Sequence, residues 1–402
     1  MIKHLFKLIW NRKKNTSLLM IEILLSFLVL FAVLAIFYYN YSFYAQPTGF
    51  DYKNVWVLQF NWNTEEDAAV KEKIHQLDLS LKNFNEIENY SFCSSFSFPY
   101  SRSMWSTGLK NDNGIEVHTV FNSADTNFTK VLGQKIIEGR WFNKEDDAST
   151  FKPVIINNEL RNQYFGENAP AIGEKIIDKD DEGTVRDTYT VIGIIDHYKY
   201  RGEFEREYPL MAQRMNLNDT TLQLRWSNVL LVKVKQGANV AFEENLVKHI
   251  VNLTKGWKVK VSDIDELRNS YINQRAGTIL VSGSLAFILL LNVALGLMGV
   301  IWYSINRRKS EIGLRRATGA SGKKISLQII GEAIVLGTFA IIIGILFAVQ
   351  VPILKMMDTT TGIMLASIVT ASVFIYILIT ICSLYPSFLA SRIQPAEALH
   401  DE

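Results

Sequence analysis

Cysteine is almost missing from this 402-residue chain, which holds only Cys93, in its polar middle, and Cys382, inside an apolar run. The two stand in such different surroundings that no disulfide framework joins them, and no CxxC metal or redox motif occurs. The 6 histidines are scattered and never fall at HxxH or HxxxH spacing, so the local zinc pattern is absent. No GxxxxGK[ST] element is present. The nearest approach, Gly319-Ala320-Ser321-Gly322-Lys323-Lys324, has the wrong spacing and follows no buried strand. ATP dependence, if the protein has any, must therefore come from a partner. No GxSxG elbow or Ser/His/Asp arrangement is visible. In the acidic run Asp178-Lys179-Asp180-Asp181-Glu182-Gly183, Tyr189 stands where a calcium loop needs its bidentate glutamate, so the run reads as a hairpin turn. The formal net charge of +2, without a long basic block outside the membrane flanks, gives no footing for nucleic acid. The expectation is a protein that is no enzyme, with no catalytic residue, no metal site and no cofactor.

What the chain does have is long apolar runs at both ends. About 20 such residues cross the hydrocarbon core. The first run, 17–39, is interrupted only by Glu22 and follows Lys3, Lys7, Arg12, Lys13 and Lys14, so residues 1–16 are expected inside. Its exit, Phe37-Tyr38-Tyr39-Asn40-Tyr41, is bulky and aromatic, unlike the small residues of a cleavage site, which marks a retained span. Further spans are expected at 276–305, 325–354 and 363–386, leaving a short external loop at 355–362 and a cytoplasmic tail at 387–402. The second is about ten residues longer than crossing requires, so it should tilt or project.

The segment 306–324 carries Arg307, Arg308, Lys309, Arg315, Arg316, Lys323 and Lys324 against the single acid Glu311, which places it on the cytoplasmic side. Both termini are then inside, and residues 40–275 form one large external domain. Within that domain 55–60, 65–81 and 87–92 read as strand, helix, strand, and 229–234, 240–253 and 257–261 repeat the order. Two such units separated by a long insert predict a split βαβ lobe (50–121 with 226–270), ferredoxin-like in plan, carrying an inserted β-rich lobe at 122–225. The expected fold class is thus integral membrane α-helical, with four spans and a large α+β extracytoplasmic domain of two lobes.

Two carboxylates fall inside spans, Glu22 and Glu332. Such groups face other helices or a cavity, or else pair with basic residues near the interface; depth alone leaves both readings open. Ala340, Gly344 and Ala348, and Ser282 with Ala286, form small-xxx-small steps that favour close helix contact and make dimerisation plausible.

Read as a helix, 307–321 puts Glu311 and Arg315 at i, i+4 in the favourable order. Ile312 and Leu314 are its only large apolar residues, too few for an interfacial membrane helix. Gly313 costs about 1 kcal/mol relative to alanine inside a helix, which points to close approach of another backbone. A plain positive-inside loop explains the arginines but not the glutamate or the glycine.

This segment, with its Glu311-Ile312-Gly313-Leu314-Arg315-Arg316-Ala317 core and Gly319-Ala320-Ser321, resembles the cytoplasmic loop of MacB/FtsX-type ABC transporter permeases. The similarity continues through Gln328 and Glu332 into the third span and reappears in Tyr385-Pro386 and Pro395-Ala396-Glu397-Ala398-Leu399. Weaker echoes of the MacB-like periplasmic core are Leu132-Gly133, Glu138-Gly139-Arg140-Trp141-Phe142, Val154-Ile155-Ile156-Asn157 and Val191-Ile192-Gly193. Ser387 and His400 depart from the family pattern.

The resemblance implies a permease of the bacterial inner membrane that works as a dimer, with itself or a related permease subunit, beside an ABC ATP-binding subunit. A periplasmic adaptor or outer-membrane partner is further implied. Glu311, Arg315 and Arg316 would make polar docking contacts on the ATPase, Ile312 and Leu314 the apolar anchor, and Gly313 and Gly319 the close approach. ATP-driven motion would pass through the long spans to the external domain, a mechanism called mechanotransmission. The output is either export of a substrate or, as in FtsX, the switching of an external protein such as a cell-wall hydrolase; a bare membrane-anchored sensor is a weaker third.

Overall fold

The computed structural model describes residues 13–62, 65–111, 114–149, 151–179, 182–216, 226–353 and 360–392. Lys3, Lys7, Arg12, Asp180, Asp181, the loop residues 354–359 and the tail residues 393–402 lie outside them. The chain forms two compact units, Phe43–Arg275, and Met1–Ser42 with Ala276–Glu402.

Helix α1 (Lys13–Tyr44) belongs to the helical unit except for its last turn. The sheet unit follows with β1 (Val55–Asn61), α2 (Asp67–Leu81) and β2 (Ile87–Cys93), then β3 (Ser106–Lys110), β4 (Glu116–Ala124), α3 (Phe128–Leu132) and β5 (Ile136–Gly139). After a 3-10 turn at Lys144–Ala148 come β6 (Lys152–Asn157), α4 (Asn158–Tyr164), β7 (Lys175–Lys179), β8 (Val185–Ile195) and β9 (Leu210–Arg214). It closes with β10 (Val229–Val234), α5 (Val240–Thr254) and β11 (Lys258–Asp263).

One lobe is the antiparallel sheet β11-β1-β10-β2. Numbered within the lobe this is the order 4-1-3-2 with a helix after the first and third strands, the split βαβ plan. Its helices bury Val70, Ile74, Leu77 and Leu81 of α2, and Phe242, Leu246 and Ile250 of α5, at helical spacing against Trp56, Leu58 and Phe60. The alternate residues Val55, Val57, Val229 and Leu231 turn to the opposite face, where Phe128, Val131 and Leu132 of α3 cover them. Asn239 caps α5, accepting from the Phe242 amide at 3.1 Å.

The second lobe continues the sheet as β4-β9-β6-β8-β5, with β3 on β4 and β7 on β8. Strands β7 and β8 form an antiparallel pair, with Gly183 ahead of β8 at φ +86°. Among the described residues the strands of the two lobes meet at the register pair Cys93↔Ala124, flanked by the backbone bonds Ser94 N–H to Ser123 O at 3.0 Å and Asp125 N–H to Phe92 O at 3.1 Å. Beside it Asp125, half-buried, accepts from Ser91 Oγ at 2.6 Å and from the Phe92 and Asn127 amides at 2.8 Å each. The expected lobe boundary at 121/122 falls in the middle of β4, which runs unbroken and pairs in parallel with β9. The inserted lobe therefore starts after β2, before β3.

The helical unit contains most of α6 (Ile264–Asn306), then α7 (Lys309–Ala317), α8 (Gly322–Ala348), the single turn α9 (Gln350–Ile353) and α10 (Thr361–Ser391). Among the described residues, α1, α6, α8 and α10 are long and apolar enough to cross a membrane. At 1.5 Å per residue α6 is about 65 Å long, roughly twice the hydrocarbon thickness. It starts twelve residues before the apolar run, because Asp263 Oδ1 accepts the Asp265 amide at 2.7 Å and Asp265 and Glu266 favour the helix N-terminus.

Within this unit Phe27 of α1 is fully buried, as are Ala340 of α8 and Ala371 of α10. A Cβ at Gly344 would lie 2.4 Å from the Phe27 ring, and one at Gly337 2.4 Å from Ile379. The small stripe Ala340–Gly344–Ala348 thus packs within the chain and is not a free face for a second copy. Hydrogen bonds Tyr38–Thr370 and Thr338–Tyr376, both 3.0 Å, tie helices together.

Candidate functional site

Helix α7 is a nine-residue helix between two spans, and its ends are built from backbone geometry. The Arg308 amide donates to Ile305 O at 2.9 Å and the Ile312 amide to Arg308 O at 2.9 Å, so the chain turns from α6 into α7 within three residues. At the far end Gly319 N–H donates to Arg316 O at 3.1 Å and Ala320 N–H to Arg315 O at 2.9 Å, the Schellman pairing, with Gly319 at φ +94°. A Cβ at Gly319 would meet nothing within 4 Å. The glycine supplies this left-handed stop.

The charged residues of α7 form a ring with α8. Glu311 Oε1 accepts from Arg315 Nη2 at 2.7 Å, and its Oε2 lies 3.8 Å from Arg308 Nε. Arg308 Nη1 donates to Glu332 Oε2 at 2.6 Å, and Gln328 Nε2 to Glu332 Oε1 at 3.0 Å. Arg315 Nη1 donates to Gln328 Oε1 at 2.8 Å, which closes the circuit. These five residues, with Ile312, Ile325 and Ile329, line a narrow cleft between the helices. Arg308 and Glu332 are each only 15% exposed, so their pair is screened far less than the Glu311–Arg315 pair, at 36% and 38%.

The ring decides how α7 faces. Ile312 and Gly313 are buried, whereas Leu314 is 56% exposed. Ser310, Leu314, Ala317 and Thr318, at i, i+4, i+7 and i+8, form one exposed stripe. Ile312 thus anchors the helix to its own chain, and of the two apolar residues expected to face a partner only Leu314 points out. Arg316 lies back over Gly322, its Nη1 3.6 Å from where a Cβ would stand, and its Nε is buried without a partner among the described residues. Sequence reasoning missed the pairing roles of Arg308 and Gln328. The available signals were the i, i+3 spacing of Arg308 and Glu311 and the i, i+4 spacing of Gln328 and Glu332.

The two intramembrane carboxylates differ. Glu332 is the fixed point of the ring, paired with Arg308. Glu22 sits on Gly296 of α6, where a Cβ would come within 1.7 Å of its Oε1, and among the described residues no basic group pairs with it. No cluster of three His, Cys, Asp or Glu side chains suited to a metal occurs among the described residues.

Four membrane-length helices, a two-lobed α+β domain and a charged helix between spans define a multi-pass membrane protein. A sequence profile of the MacB-like periplasmic core domain matches residues 17–248, and one of the FtsX-like permease C-terminal domain matches residues 283–395. Macrolide export ATP-binding/permease protein MacB of Bdellovibrio bacteriovorus is 25% identical over 278 residues, 66% of this chain and 41% of the relative. Pyoverdine export ATP-binding/permease protein PvdT of Pseudomonas savastanoi pv. phaseolicola is 22% identical over 293 residues, 69% and 42% of the two chains. The match thus spans about two fifths of these relatives' length. Among solved structures, the periplasmic region of MacB from Actinobacillus actinomycetemcomitans has a TM-score of 0.38 at 16% identity, covering 55% of this chain and 94% of that one. The chain belongs to the MacB/FtsX-type family of ABC transporter permeases.

Proposed function

We propose that this chain is the permease subunit of a MacB-type exporter in a bacterial inner membrane, with both termini and α7 cytoplasmic and the sheet unit outside. A separate ATP-binding subunit hydrolyses ATP and moves α7, and the long helices relay that motion to the sheet unit, which expels a substrate. One observation carries the reading: the polar ring lashes α7 to α8 while leaving the Leu314 stripe free. A force applied to that stripe enters the membrane unit through a fixed connection rather than a loose loop. The excess of positive charge in 306–324 supports the cytoplasmic side.

In this reading Leu314 seats in the ATPase and Glu311, Arg315 and Arg316 act behind it, holding α7 in register. The partner along the membrane is a second copy or a related permease subunit. Within its apolar run α6 exposes Ser282, Ser284 and Asn292, each donating to the carbonyl four residues back, and such residues mediate helix association. The names of the relatives point to export of secondary metabolites, and a periplasmic adaptor would take the cargo onward. The test is reconstitution with the ATP-binding subunit. Leu314→Asp and Arg315→Glu are expected to insert normally but to lose co-purification, and ATPase rate in the wild-type complex should respond to cargo. Binding of a cell-wall hydrolase with no cargo effect on the rate would replace export by the regulatory reading.

A further inference from the structure

Lys199 is the most unusual charged residue in the sheet unit, being only 2% exposed. It lies in the segment between β8 and β9, and its Nζ donates to Phe43 O at 2.7 Å and to Glu203 O at 2.8 Å. Phe43 O belongs to the last turn of α1, which has no basic residue of its own there. The ammonium of Lys199 thus supplies from 156 residues away the cation that a helix C-terminus favours, at a carbonyl that also accepts the Gln46 amide at 3.0 Å. Two further contacts hold the same helix end: the Phe204 ring stacks on Tyr44 at 5.1 Å, and the Lys199 amide donates to Thr48 O at 2.9 Å.

The other side of this segment grips α6. Glu203, 6% exposed, accepts from Arg268 Nε at 2.5 Å and from Tyr100 Oη at 3.2 Å. Glu205 pairs with Arg275. Gly202, at φ +102°, lies so close to Tyr271 that a Cβ would come within 2.9 Å of its ring. Arg268, Tyr271 and Arg275 stand at i, i+3 and i+7, one face of α6. Seven residues, Lys199 to Glu205, therefore hold the outer end of one span helix and the projecting start of another. Tyr200 Oη, within the same segment, is buried with no partner among the described residues.

We infer that Lys199–Glu205 is the joint at which α1 and α6 act together on the sheet unit, converting displacement of the two helix ends into movement of β8 and β9. This rests on the exporter reading for its driving force. The geometry of the joint, which lies wholly within Phe43–Arg275, stands apart from it.

The joint predicts a cross-effect that plain packing does not. Of the two helices, Lys199→Met loses a contact with α1 alone, together with the Lys199–Glu203 O bond inside the segment, and Glu203→Gln weakens a contact with α6 alone. Hydrogen exchange of the full-length protein in lipid nanodiscs is expected to rise about fivefold at both helix ends, 40–46 and 264–276, in either variant. Arg275→Gln, at a half-exposed site, should show the same pattern more weakly and decides the matter if a buried variant fails to fold. Exchange that rises only at the helix each residue touches, or at neither, overturns the joint. Co-purification with the ATP-binding subunit is measured in parallel. If the cross-effect appears while the wild type binds no ATPase, the joint stands and the source of its motion is wrong.

Discussion

Two polar clusters fix helix ends in this molecule, and they are built on opposite principles. The ring on α7 is short-range in sequence, its partners 3, 4, 13 and 24 residues apart, and joins a half-exposed pair, Glu311–Arg315, to the shielded pair Arg308–Glu332. The cluster around Lys199 and Glu203 has those two residues buried at its centre and the Glu205–Arg275 pair at its more exposed rim, and joins residues 156, 65 and 70 apart. An exposed ion pair is worth little because water and salt screen it, whereas removing one member of a buried pair strands the other. The first arrangement keeps a small helix in register at modest cost. The second makes its neighbours dependent on one another, which suits a place where two long helices meet one loop.

The contrast breaks most readily at Glu203. Glu203→Ala leaves Arg268 and Tyr100 without their acceptor and is expected to cost about 3–5 kcal/mol in denaturant unfolding of the full chain. Next comes Glu332→Ala, which takes one acceptor from Arg308 and one from Gln328 but leaves each its other ring partner, Glu311 and Arg315; we expect about 1–2 kcal/mol, read by limited proteolysis at 306–324. Equal losses at the two sites would erase the distinction.

A third effect concerns pH. Burial holds the Lys199 ammonium below its ordinary value of 10.5, with the nearby Glu203, Glu207 and Glu205 opposing the shift. Between the lowered folded value and 10.5 the unfolded chain binds more protons, so the penalty of burying this charge fades as pH rises through that window. Wild type should therefore gain stability relative to Lys199→Met on going into alkali, with a slope of at most about 1.4 kcal/mol per pH unit. A pH-independent difference would mean the ammonium is better solvated than its burial implies. The smallest effect belongs to Glu311→Ala, about 0.3–0.5 kcal/mol after screening, detectable as faster exchange within α7.

The same division by sequence distance governs what could be read in advance. Spans, loop charge and the Glu311–Arg315 pair are local patterns, and so are the two strand–helix–strand units, whose apolar spacing names the buried face of α2 and α5. The orientation of α7 was half legible. Ile312 and Leu314 look alike in sequence, and it is the ties of Arg308 and Arg315 to α8 that accompany one turning in and the other out. The expected span at 276–305 marks where the apolar run begins, while the helix that carries it starts at Ile264, under the cap at Asp263. The lobe boundary was misplaced because β4 carries one uninterrupted strand across it. Lys199 gave no signal, since a lysine in a polar stretch looks solvated until the helix end 156 residues away is folded against it.

Leu314 tests the central claim most directly. A photo-crosslinkable residue placed at 314, and separately at 312, in the full-length protein in cells would report what each position faces. The account predicts that 314 crosslinks to a P-loop ATPase, identified by mass spectrometry, and that 312 crosslinks only within the chain. Crosslinks from 314 to lipid or to the chain itself, with no ATPase, would contradict it.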